Sequence, residues 1–106
     1  MTNASVAHRA AVCRALLERV DMVGLWTEEG PTSAARRLRD HDGEDLTDAQ
    51  RFLLMLAWDV WNGTGHADMS ELLRLDVVTR RLVAALLGAL AGTARDLDAW
   101  LERARR

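Results

Sequence analysis

Chemistry would be sought first in WDVWNGTGHADMSELL, which runs from Trp58 to Leu73. Two tryptophans, an Asn-Gly, a Gly-Thr-Gly, a histidine and an acidic pair crowd into it. A Gly-x-Gly can approach a phosphate, but that use needs a preceding strand, and the residues before Gly63 have a helical pattern. Gly63 suits a left-handed helix end. Asp68, with Glu71 three residues on, has the D-x-x-E form of a capping box. His66 and Asp68 are only two potential ligands, and no two of His8, His41 and His66 share a helix at i, i+4 spacing. No metal site and no cofactor are therefore expected.

The remaining candidates are weighed the same way. Asp59 and Arg51 share the polar strip of one helix, and Asp59 stands among tryptophans. An enzyme would place its site near Asp59 and His66. An ion pair or a cap is the simpler expectation, because no nucleophile-and-base pair accompanies them. Asp40, Asp42 and Asp45 around Gly43 resemble part of a calcium loop, but Arg51 stands where its bidentate glutamate belongs, so a turn is expected. Cys13, the one cysteine, lies in an apolar stripe and should be a buried, inert thiol.

These residues must be positioned by helices. With 106 residues, 49% hydrophobic and 28% charged, the chain has the size and composition of one globular domain over 1–106. Strand signals are almost absent. A first helix is expected over about 5–25, with Val6, Ala10, Cys13, Leu17, Val20 and Gly24 on one face. A short one follows over about 31–39, with Ala34, Ala35 and Leu38 inward. The third, about 47–62, should be capped by Thr47. Phe52, Leu53, Leu54, Leu56, Ala57, Val60 and Trp61 cover most of its circumference, as on a helix that others surround. A short helix with Met69, Leu72 and Leu73 available for burial comes next. Asp76 caps another, whose stripe is Leu82, Val83, Leu86, Leu87 and Leu90. Its opposite side carries Ala84, Ala85, Gly88 and Ala91. The last helix should bury Leu97, Trp100, Leu101 and Ala104, most naturally against the Ala84–Gly88 side, with Arg103, Arg105 and Arg106 at its negative end. The fold class expected is all-α, a compact bundle of five or six helices around a central apolar helix.

Function follows largely by exclusion. A formal net charge of −2 argues against nucleic acid and anionic membrane as partners. All basic residues are arginine, which reads as the bias of a GC-rich bacterial genome. The chain shows no signal-peptide pattern and nothing near the ~20 apolar residues of a spanning helix, so a cytoplasmic protein is expected. The leading expectation is a small, non-catalytic protein–protein interaction or accessory subunit. Its partner would be another protein chain or a second copy in a homodimer, met through Trp58, Trp61 or Trp100. The alternative is a DNA-binding transcriptional regulator. SELLRLDVVTRRLVAAL resembles a helix-turn-helix at about 70–91, which would present Thr79, Arg80 and Arg81 to the major groove. Its turn lacks the usual glycine.

Overall fold

The computed structural model describes residues 6–105. Ser5 and Arg106, where the expected first helix begins and the basic terminus ends, lie outside the described residues. Six helices are present: α1 (Val6–Glu18), α2 (Ser33–Asp40), α3 (Asp48–Asn62), α4 (Met69–Leu72), α5 (Val77–Leu90) and α6 (Ala94–Ala104). Between α1 and α2 lie a 3-10 turn, Val23–Leu25, and a two-stranded hairpin, β1 (Trp26–Thr27) and β2 (Gly30–Pro31). The molecule is thus mostly helical but not purely so.

Helix α3 lies at the centre. Thr47 and Gln50 cap its start reciprocally, side chain to backbone amide, both at 3.1 Å. Seven consecutive residues, Phe52 to Trp58, are buried, which leaves this stretch no solvent face. Helix α1 lies along it, and α2 and α4 touch it. Gly63 ends it at φ 77, its amide reaching back to the Trp58 and Asp59 carbonyls, the left-handed termination expected of that glycine. Helix α6 bridges α1 and α5. The buried apolar residues form one cluster running from Ala10 to Leu101.

The expected first helix is too long. Its end is set by Asp21, at φ 60. The Met22 amide bonds the Leu17 carbonyl at 2.9 Å and the Asp21 amide bonds Glu18 at 3.2 Å, the paired bonds of a Schellman termination with aspartate in the glycine position. Val20 and Gly24 therefore lie beyond α1. Helix α2 stops in the same way: Asp42 has φ 57, and the Gly43 amide reaches the Leu38 carbonyl at 2.8 Å.

The hairpin is the second departure. Trp26 pairs with Pro31 and Thr27 with Gly30, and Trp26 is carried into the core at 0% exposure. Gly30 has φ 134, and a Cβ there would meet the Trp61 ring at 2.7 Å. The chain reverses where glycine alone fits.

On α5 the burial is rotated from the expected stripe. Thr79, Val83, Leu86 and Ala89 are buried, while Leu87 and Leu90 are exposed. Of the three apolar residues expected to be buried in and after α4, Leu72 is half-buried, while Met69 and Leu73 face solvent. Helix α6 buries Leu97, Trp100 and Leu101, the expected stripe, but not against Ala84 and Gly88, both of which are exposed. The Trp100 indole instead donates to the Leu82 carbonyl at 2.9 Å.

Candidate functional site

The segment joining α3 to α4 is organised by one carboxylate. Asp59 Oδ1 accepts from the amides of Gly65 and His66, and Oδ2 from Ala67, each at 2.9 Å. Three amides converge because the chain presses onto the helix at Gly65: a Cβ there would lie 1.8 Å from the Met55 carbonyl oxygen. His66 then takes φ 55, a conformation in which histidine is among the more tolerated non-glycine residues. Its side chain is exposed. Asp68 accepts from the amide and hydroxyl of Ser70, and these bonds hold its carboxyl below the usual carboxylate range. Glu71 does not close the capping box; it pairs with Arg51 at 3.4 Å.

A cleft of about 240 Å³ opens beside this joint, lined by Arg39, Arg51, Phe52, Gly65, His66 and Asp68 among others. Its cations are engaged. The Arg39 guanidinium lies 4.1 Å from the Trp58 ring centroid and donates to Thr64 and Asp40, each at 3.1 Å. Arg51 holds Asp48 at 2.7 Å. Asp59 spends both oxygens on the loop, so it is a clamp and not a base facing a substrate. Asp42 and Gly43, from the partial calcium-loop motif, form the end of α2, with the Arg51 side chain against Gly43. Among the described residues, no three His, Cys, Asp or Glu side chains gather as metal ligands.

The tryptophans occupy the interior. Trp58 is 1% exposed and Trp100 is 0% exposed, while Trp61 is half-buried. Trp26 meets Trp58 edge-on with centroids 5.0 Å apart, and Trp61 at 6.0 Å. The indole N–H groups of Trp26 and Trp58 are buried without a nitrogen or oxygen acceptor; the T-shaped geometry is one in which an aromatic edge meets a π-face. Arg9 ties α1 to this cluster, donating to the Trp61 carbonyl at 2.9 Å with its guanidinium 5.5 Å from the Trp61 ring centroid. Trp26 was not singled out in the sequence. Its neighbours Leu25 and Pro31 show no periodicity that would mark it as core.

Cys13 is fully buried, donates to the Ala57 carbonyl at 3.2 Å, and has its thiol pushed up to about 12 by burial. It carries no thiolate chemistry near neutral pH.

The segment 69–90 is different. Thr79 is 4% exposed; its hydroxyl accepts from Arg19 Nε at 2.9 Å and donates to Asp76 at 2.6 Å. Asp76, the cap of α5, is held below the usual carboxylate range chiefly by that hydroxyl. Arg81 is exposed and Arg80 half-buried, and the Arg80 Nε is buried without an acceptor. Neither arginine has an ion-pair or side-chain hydrogen-bond partner among the described residues. The same stretch of chain exposes Leu73 (73%), Val78 (62%), Val77 and Met69 (47% each). A larger cavity of about 370 Å³, floored by Ala7, Ala10, Ala11 and Ala15 of α1, brings no comparable concentration of large apolar side chains. Among the described residues, no helix is long and apolar enough to cross a membrane. No family model matches the chain, and no curated protein or solved structure is significantly similar to it.

Proposed function

We propose that this protein works by contact with another polypeptide chain, as a small non-catalytic interaction or accessory subunit, through the surface of α4 and α5. One observation carries this reading. Of the seven large hydrophobic residues exposed among those described, six lie between Met69 and Leu90. Scattered exposed leucines need no explanation, but a concentration on one segment marks a surface that is covered in use. The remainder of the molecule supports it. The polar groups of the α3–α4 joint are bound to one another, and Trp58 and Trp100 serve the core, with Trp61 half-buried against it. On this reading the contact runs through the exposed Leu73, Val77, Val78 and Leu87 and not through the buried Trp58 and Trp100.

The test is chemical cross-linking in cells that make the protein, comparing wild type with a Leu73→Asp plus Val78→Asp variant, with and without nuclease. Both substitutions are at exposed positions, so where the protein is dilute and monomeric the variant should melt as the wild type does. The expected result is loss of cross-linked species from the variant and no effect of nuclease. Identical cross-linking in both proteins would overturn the reading. Adducts that vanish on nuclease treatment would favour the DNA-binding regulator, with Arg80 and Arg81 as its contacts.

A further inference from the structure

Helix α5 carries, on one outer face, the ingredients of a self-complementary contact. Val77, Arg81, Ala84, Gly88 and Ala91 follow one another at helical spacing, and all are exposed. Small side chains permit two helix axes to approach closely, and a Cβ built at Gly88 would meet nothing within 4 Å, so none of the described residues covers the spot. Charge is distributed unevenly along the same face. Its first half holds the exposed Arg81, with the half-buried Arg80 at its flank, and neither has an ion-pair or side-chain hydrogen-bond partner among the described residues. Its last turn holds no basic residue, and it closes on a right-handed Ala91 at φ −80. The Leu87 and Ala89 carbonyls accept from the Ala91 and Gly92 amides, and no side-chain cation among the described residues bonds this negative end of the helix dipole.

A cation at one end and an uncompensated negative pole at the other match each other only when two such helices run antiparallel. That is the symmetry of a two-fold contact, in which one patch meets itself. We infer that the α5 surface is occupied by a second copy of this chain, docked antiparallel so that Ala84 of one copy faces Gly88 of the other and Arg81 reaches the C-terminal carbonyls of the opposing α5. With that pairing, Val77 lies at the end of the contact, Leu87 closes over one side of it, and Leu73 extends it from the preceding turn. Helix α5 has 14 residues, hence a length of about 21 Å at 1.5 Å per residue. A contact of that length is small, and it makes a reversible dimer with dissociation on the order of micromolar.

This inference rests on the α4–α5 interaction reading, and its test separates the two. Sedimentation equilibrium on the purified chain should show a monomer–dimer equilibrium, weakened by salt because Arg81 acts through a screened charge. Gly88→Gln should raise the dissociation constant at least about tenfold while leaving monomer melting unchanged or higher, since the site is open and glycine is a poor helix former. Arg81→Glu should do the same. Orientation is read by mixing an Ala84→Cys variant with a Gly88→Cys variant under mild oxidation: the antiparallel register gives a covalent heterodimer in the mixture in preference to either homodimer. A wild type that stays monomeric at the highest concentration reached overturns the inference. If Leu73→Asp plus Val78→Asp then still abolishes cross-linking to a different protein, the interaction reading survives without it. A dimer indifferent to Gly88→Gln and Arg81→Glu, or one that cross-links equally well in all mixtures, also overturns it.

Discussion

Leu56 and Leu73 are the same side chain in two halves of one small molecule, 3% and 73% exposed. Leu56 belongs to the half built from α1, the hairpin and α3, where tryptophans meet edge-on and the polar atoms of the α3–α4 joint are tied to Asp59. Leu73 belongs to the stretch of chain that runs from α4 through α5, where α5 is fastened along one side by Val83, Leu86 and the Trp100 indole and exposes small and apolar residues on the other. The first half is finished as a folded object. The second, in the reading proposed above, is completed by another chain. Destabilising substitutions should therefore concentrate in the first half, and substitutions that alter association in the second.

The sharpest probe of the finished half is Gly65→Ala. The added methyl would fall 1.8 Å from the Met55 carbonyl oxygen, against backbone that cannot swing aside. Either the joint lifts from α3 and loses the three Asp59 bonds, or the helix distorts. A loss of roughly 3–5 kcal/mol is expected in urea denaturation. A loss below about 1 kcal/mol would show that the joint is loosely held. Leu56→Ala follows closely, at roughly 2–5 kcal/mol, because the cavity forms between helices that cannot collapse into it.

The two halves also differ in how far they are legible in the sequence. Caps are local chemistry, and Thr47, Gly63, Asp68 and Asp76 stand at helix ends as their residue types require. The central helix is equally plain, since seven consecutive buried residues need no knowledge of their neighbours. The end of α1 was hidden because an aspartate, Asp21, does what glycine ordinarily does, and the apolar spacing runs on past it through Val20 and Val23. The hairpin was hidden because two-residue strands have no periodicity; what holds them is Trp26 packing on residues more than thirty positions away. On α5 the stripe of leucines was visible, but Leu87 and Leu90 differ from Leu86 only in which side α6 covers. Periodicity can mark an apolar side; it cannot tell a side packed against its own chain from one left for another. The outer face of α5, the candidate site, reads in the sequence as a run of small residues on which α6 would be expected to sit.

Cys13 gives a pH-resolved view of the finished half. Its thiol stays protonated in the fold up to about 12, against an ordinary value of 9.0. In the unfolded chain it ionises from 9 upward, so unfolding releases a proton there. Stability is undiminished below pH 9 and falls between 9 and 12, with a limiting slope of about 1.4 kcal/mol per pH unit. The chain has no lysine and no tyrosine, so no other side chain has its ordinary titration in that window. Denaturation series at pH 8, 9, 10 and 11 should show the decline, and Cys13→Ser, which keeps a donor to Ala57, should flatten it. An equal slope in the variant would mean that the thiol is less protected than its burial indicates.

Leu73→Ala is the smallest effect and the one that returns to the comparison. The side chain projects from the turn after α4 and gives up little on truncation within one molecule, so the change in unfolding free energy should stay within about 0.5 kcal/mol. That value holds where the protein is dilute and monomeric. As concentration rises, a surface covered by another copy adds the association free energy to the wild type, and the melting temperatures of wild type and variant should separate. The same pair measured for Leu56→Ala should show a gap that concentration hardly changes, because the lost contacts lie within one chain. A concentration-independent loss of more than about 1 kcal/mol at Leu73 would place that leucine in the monomer's own core, and the division between a finished half and a waiting one would fail at its most exposed residue.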